Sequence, residues 1–129
     1  MDMSGLIRQI KKLEAEPDMD KLGKNYVEIK EKLLSYPQEI WSYDMTMAYA
    51  RTLNFLQDYS SHNSPYEEAY DLLLTVKEMG SSDYEWNQAM ASISFNLQLY
   101  TEAMEYAKRA NDLFDGCADE MLELYSKFI

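Results

Sequence analysis

The sequence predicts an all-α chain in which antiparallel helix hairpins stack side by side, about seven helices in a single domain spanning 1–129. Three observations carry that expectation. Apolar residues recur at helical spacing along the 129-residue chain, and the alternation of Val, Ile and Thr that marks strands is missing. Residues 43–59 also read against residues 84–100 without a gap, with six identities in 17: Tyr43/Tyr84, Ala48/Ala89, Ala50/Ala91, Leu56/Leu97, Gln57/Gln98 and Tyr59/Tyr100. Ordinary residue usage gives roughly one such identity by chance. The stretches that follow align at a spacing of 34, where Tyr66, Glu68 and Ala69 fall on Tyr100, Glu102 and Ala103.

The first helix is expected over 4–15, with Leu6, Ile7, Ile10 and Leu13 on one face, Ser4 as N-cap and Pro17 beyond its end. Asp18 or Asp20 caps a second helix to about Ser35, whose face holds Leu22, Tyr26, Ile29, Leu33 and Tyr36. Pro37 closes it, because a residue before proline is pushed out of helical geometry. A third helix covers about 43–58 with Met45, Ala48, Tyr49, Thr52, Leu53 and Leu56 inward. The polar stretch 59–65 is a loop, and Pro65 opens a fourth helix in the first turn, where its missing N–H costs nothing. That helix is expected to run to Met79, with Tyr66, Ala69, Leu73 and Val76 inward and Gly80 as a left-handed C-cap. Ser82 and Glu85 form a capping box for a fifth helix over 83–98, striped by Trp86, Met90, Ile93 and Leu97. The sixth, 100–113, carries Tyr100, Ala103, Ala107 and Ala110. After the break at Asp115-Gly116, a terminal helix over 117–128 shows Met121, Leu122, Tyr125 and Phe128.

The second helix of each hairpin repeats one spacing, i, i+3, i+7, i+10: Tyr26/Ile29/Leu33/Tyr36, Tyr66/Ala69/Leu73/Val76 and Tyr100/Ala103/Ala107/Ala110. With the period of 34, and with Trp86, Ala91 and Ala103 supplying the aromatic, small and alanine positions, the chain resembles the tetratricopeptide repeat family. The resemblance implies a short right-handed α-solenoid: a divergent N-terminal hairpin (1–42), a repeat with a loop insertion at 59–65 (43–79), a best-matching repeat (83–113) and a C-terminal capping helix (117–129). Helices about 8–10 Å apart need small side chains where they cross, so Ala91 is expected against Ala103, and Ala50 against Ala69. The family's proline after the last alanine is replaced here by Asp115-Gly116.

Composition narrows the function. The net charge of −11 is concentrated beyond residue 42, and such an excess repels nucleic acid and anionic lipid while speeding encounter with a basic protein patch. No apolar run has the length of a membrane span. The single cysteine, Cys117, gives no reason for an oxidising compartment, and a cytoplasmic location is expected. His62 stands in the polar loop with no partner at metal-ligand spacing. Cys117 at the start of a helix is a weak cue for a lowered thiol pKa. No phosphate loop, nucleophile elbow or zinc motif is present. Catalytic residues, metals and cofactors are therefore not expected.

The resemblance implies a concave wall built from the first helix of each hairpin: Asp44, Met47, Arg51, Asn54 and Phe55, then Glu85, Gln88, Ser92, Phe95 and Asn96. Phe55 and Phe95 are the expected apolar anchors, since both lie off the inward stripes. Family members that grip a carboxylate pair Lys or Arg with Asn on this wall. Only Arg51 and Asn54 echo that pattern, and Asp44 and Glu85 oppose it. Three functions follow in order: an adaptor whose acidic groove takes a basic or amphipathic peptide or helix, an inhibitor or immunity-type protein that blocks a basic enzyme or toxin, and a self-assembling homodimer joined through Leu6/Ile10 or Tyr125/Phe128.

Overall fold

The computed structural model describes residues 4–56 and 65–129, and every regular element among them is helical. In chain order these are α1 (Ser4–Glu14), α2 (Met19–Leu34), a 3₁₀ turn (Gln38–Ile40), α3 (Tyr43–Leu56), α4 (Pro65–Leu74), the short α5 (Lys77–Gly80), α6 (Tyr84–Asn96), α7 (Tyr100–Leu113), α8 (Asp119–Tyr125) and a final 3₁₀ turn (Ser126–Phe128). The duplicated stretches are in structural register, because Tyr43 and Tyr84 each begin a helix. His62, with Gln57 and Tyr59 of the duplication, lies outside the described residues.

Local chemistry accounts for most boundaries. The Asp18 side chain caps α2 by accepting from the amides of Asp20 and Lys21 at 3.0 and 3.1 Å. The fourth helix ends earlier than the apolar pattern predicts, at Leu74 and not at Met79. Thr75 turns its hydroxyl onto the Leu72 carbonyl at 2.6 Å, and the Thr75 and Val76 amides tighten to i−3 carbonyls, so two β-branched residues end the α-geometry. Four residues of α5 complete the turn. The expected left-handed cap at Gly80 is also corrected, for Gly80 is the last residue of α5 and its φ is not positive. A Cβ there would clash with the Trp86 ring, and the indole N–H donates to the Leu73 carbonyl at 3.0 Å. Close approach is what demands glycine.

The cap of α6 is Asp83 and not Ser82. Asp83 accepts from the Glu85 amide at 3.1 Å, while the Ser82 hydroxyl donates to the Met79 carbonyl. The α6–α7 turn is a Schellman motif, with Leu99 N–H to Ser94 O at 2.8 Å and Gln98 N–H to Phe95 O at 2.9 Å. Its left-handed position holds Gln98 at φ 65. Cys117 precedes the terminal helix, which begins at Asp119. Asn111 sets that start by accepting from the Ala118 amide at 2.6 Å and donating to the Asp119 carboxylate at 2.8 Å. Gly116, at φ +80, makes the break before it.

Each helix packs chiefly on its neighbours in chain order, α1 on α2, α2 on α3, α3 on α4, α4 on α6, α6 on α7 and α7 on α8, with α3 also touching α6 and α1. Ala50, Ala69, Ala91 and Ala103 are all fully buried, as close helix approach requires. Met45 through Ala50 are buried without interruption, so this part of α3 is enclosed on every side. Met47 is therefore core and not open wall. Ile10 and Tyr125, at 1% and 3% exposure, are likewise spent inside the molecule and are not free for a dimer contact. Tyr43 Oη donates to Asp83, the cap of α6, at 2.6 Å, and Tyr70 Oη of α4 donates to Glu102 of α7 at 2.9 Å.

Candidate binding cleft

An open cleft of about 910 Å³ is lined from α2, α3, α6 and α8. Seven of the ten residues expected on the concave wall meet there: Arg51, Asn54 and Phe55 from α3, and Glu85, Gln88, Ser92 and Asn96 from α6. The other three do not. Asp44 and Met47 border a smaller crevice beneath α1, with Ile7, Ile10 and Lys11. Phe95 stands in an aromatic stack with Tyr125 (4.5 Å between ring centroids), Phe128 (5.0 Å) and Tyr100 (5.5 Å). The terminal helix covers it, which removes it as an exposed anchor.

Phe55 does line the cleft, half-buried, with its ring 4.8 Å from Tyr26 and close to Gly23 on α2. Sequence reasoning missed the residues that other elements contribute, Met19 and Tyr26 from α2 and Met121 from α8. Tyr26 had a visible signal in its place on the inward stripe, but nothing local in the sequence showed which neighbour that stripe would meet.

Across the cleft runs an uncharged polar seam. Asn96 Nδ2 donates to Asn54 Oδ1 at 3.0 Å, and Asn54 Nδ2 donates to Ser92 Oγ at 3.2 Å. Gln88 Nε2 donates to the Cys117 carbonyl at 2.7 Å. Each of these amides keeps an unused donor or acceptor position suited to a peptide backbone.

Arg51 is committed elsewhere. Its Nε and Nη2 each lie 2.8 Å from a Glu14 carboxylate oxygen, and Tyr26 Oη donates to the same carboxylate at 2.8 Å. Burial pulls the guanidinium pKa down, but the Glu14 bond and charge outweigh it and the net direction is up. Burial, followed by the Glu14 charge and hydrogen bond, pushes the Tyr26 phenol far above its ordinary value. A bidentate Arg with its carboxylate in place is not open to a ligand's carboxylate, so the Arg51/Asn54 echo of a carboxylate clamp does not function as one. Glu85 is left as the one carboxylate among the described lining residues. The cleft is thus mainly apolar and amide in character, and less acidic than the charge balance alone suggests.

Cys117 shows no activation. Burial and then the Asp119 charge push its thiol up, opposite to what a nucleophile needs. Among the described residues no group of three or more His, Cys, Asp or Glu is placed to hold a metal ion, and no helix is long and apolar enough to cross a membrane. No protein-family model, curated protein or solved structure matches this chain.

Proposed function

We propose that the chain is a non-catalytic protein-binding module, a tetratricopeptide-like helical array that forms a short right-handed solenoid and acts as a cytoplasmic adaptor. Its cleft receives an amphipathic or basic segment of a partner protein. The observation that carries this reading is the convergence of Arg51, Asn54, Phe55, Glu85, Gln88, Ser92 and Asn96, chosen from the repeat pattern, on one cleft. Support for the array comes from the chain-order packing, the four buried crossing alanines and the Trp86 wedge. Phe55 supplies an aromatic contact, the asparagine seam supplies backbone hydrogen bonding, and Met19 and Met121 supply adaptable apolar area. The volume lies in the range of about 300–1,000 Å³ typical of ligand clefts.

The test is affinity capture at low salt, comparing wild type with Phe55→Ala and with Asn96→Arg. Asn96 is exposed, so a long cation there blocks the cleft without touching the core. A stoichiometric partner lost in both variants supports the reading. A partner held equally well by all three proteins, or none captured at low salt, overturns it.

A further inference from the structure

A second cavity, of about 730 Å³, lies between the end of α2, the 3₁₀ turn, α3 and α4. None of the groove residues borders it. Its composition differs sharply from that of the first cleft. Three aromatic side chains, Tyr36, Trp41 and Tyr49, face three carboxylates of α4, Glu67, Glu68 and Asp71, and no Lys or Arg is among the described lining residues.

The aromatic wall is held in place. Trp41 Nε1 donates to the Tyr36 carbonyl at 3.2 Å, which fixes the indole. The Trp41 and Tyr49 rings lie 5.1 Å apart at 47°, so together they form a corner and not a flat stack. Burial, then the nearby Glu68 charge, pushes the Tyr49 phenol up, and Glu68 and Tyr49 both line the cavity. Glu67 and Asp71 are exposed and in no ion pair among the described residues. Rings present negative faces and carboxylates carry negative charge, so the aromatic wall and the acidic wall both favour a cation.

We propose that this cavity is a second recognition site, one that takes the guanidinium of an arginine presented on a basic protein segment. A planar guanidinium stacks on an indole face and binds carboxylate through two parallel N–H groups, and an ammonium matches neither geometry as well. The cavity is several times larger than one arginine side chain, and the remaining space fits the residues that flank it. Charge complementarity selects this occupant over a neutral apolar helix, which would bury the carboxylates unpaired. The site lies apart from the cleft of the proposed function and does not depend on it.

Trp41 is a built-in reporter, because the only other tryptophan, Trp86, is fully buried. The experiment titrates the full chain with a capped peptide carrying two arginines between glycines and serines, following tryptophan emission and the heat of binding. Parallel titrations use the same peptide with lysine, the same with glutamine, and N-acetyl-arginine amide as a free cation. The arginine peptide is expected to bind and shift the emission, with the glutamine peptide at least about tenfold weaker and the lysine peptide between them. Glu67→Gln/Asp71→Asn, two exposed changes that leave the core intact, should weaken the arginine peptide by about tenfold. Asp112→Asn/Asp115→Asn, two exposed carboxylates at the far end of α7, should leave its affinity within about twofold, as distant charges are screened. No binding of the arginine peptide overturns the proposal. So does equal affinity for the glutamine peptide, equal loss in both double variants, or binding of the free cation as tight as the peptide, which would mark a small-molecule site.

Discussion

Arg51 and Glu14, 37 positions apart in the chain, meet through two parallel hydrogen bonds of 2.8 Å each. That pair pins α1 to α3, and Tyr26 on α2 joins it as a third partner. Three helices are thus locked at one carboxylate, whose side chain is only 13% exposed. Glu14→Gln leaves the guanidinium largely desolvated without its counter-charge, and the expected loss is about 2–3 kcal/mol in urea unfolding. Arg51→Lys keeps the charge but not the fork and should lose less, about 1–2 kcal/mol. Equal stability of all three proteins in one denaturation series would show that the lock is ornamental.

Gly80 and Trp86 share one space. Gly80→Ala forces either the fully buried indole or the α5 backbone to move, and the indole cannot move without breaking its bond to Leu73. The expected cost is about 3 kcal/mol, at the upper end of overpacking penalties. Thermal unfolding should show a drop of more than about 10 °C for a domain of this size. An unchanged midpoint would mean that the α5 turn is soft enough to yield.

The turn between α6 and α7 carries strain that is easily relieved. Gln98 holds a left-handed backbone at φ 65, a geometry that costs most residues about 1 kcal/mol and costs glycine nothing. Gln98→Gly should therefore stabilise the chain by about 0.5–1 kcal/mol, and Gln98→Val should destabilise it by more than that, because branching at Cβ worsens the clash. Chemical denaturation of the pair gives both signs in one comparison.

Alkali should loosen the fold within a defined window. Burial pushes the Tyr125 phenol up to about 12. Burial, together with the Glu102 hydrogen bond and charge, does the same for Tyr70. An unfolded tyrosine titrates near 10, so the folded state binds these protons more tightly. The resulting stability is complete below about pH 10 and is lost as pH rises toward about 12. Urea midpoints measured alongside tyrosinate absorbance should fall across that interval. Tyr125→Phe should flatten the fall while changing neutral-pH stability by less than about 1 kcal/mol.

Helix existence and inward faces were legible because they depend on local periodicity. Ile10, Ile29, Leu33, Met90, Ala103 and Ala107 are buried where their spacing placed them. What sequence could not give was the competition for each face. Phe95 and Phe55 look alike on a helical wheel, but Phe95 sits under α8 and Phe55 borders the cleft. Met47 is closed off by α1, whose approach is held by Glu14 on Arg51, and Glu14 lies far from Met47 in the chain. The Thr75 break and the Asp83 cap turn on which of two hydroxyl or carboxylate groups wins a given backbone partner, a contest that residue type alone leaves open. The aromatic-acidic cavity was invisible for the same reason, since Trp41 and Asp71 are joined only by packing.

One helix stands between the two cavities. Tyr49 of α3 looks into one of them, while Arg51, Asn54 and Phe55 of the same helix look into the other. With close-packed neighbours on every remaining side, α3 has little room to yield independently. If both cavities take a guest, as proposed, a displacement that one imposes on this partition is passed to the other. Thermodynamic reciprocity then makes the influence mutual: the factor by which the first occupant alters the hold on the second equals the factor returned.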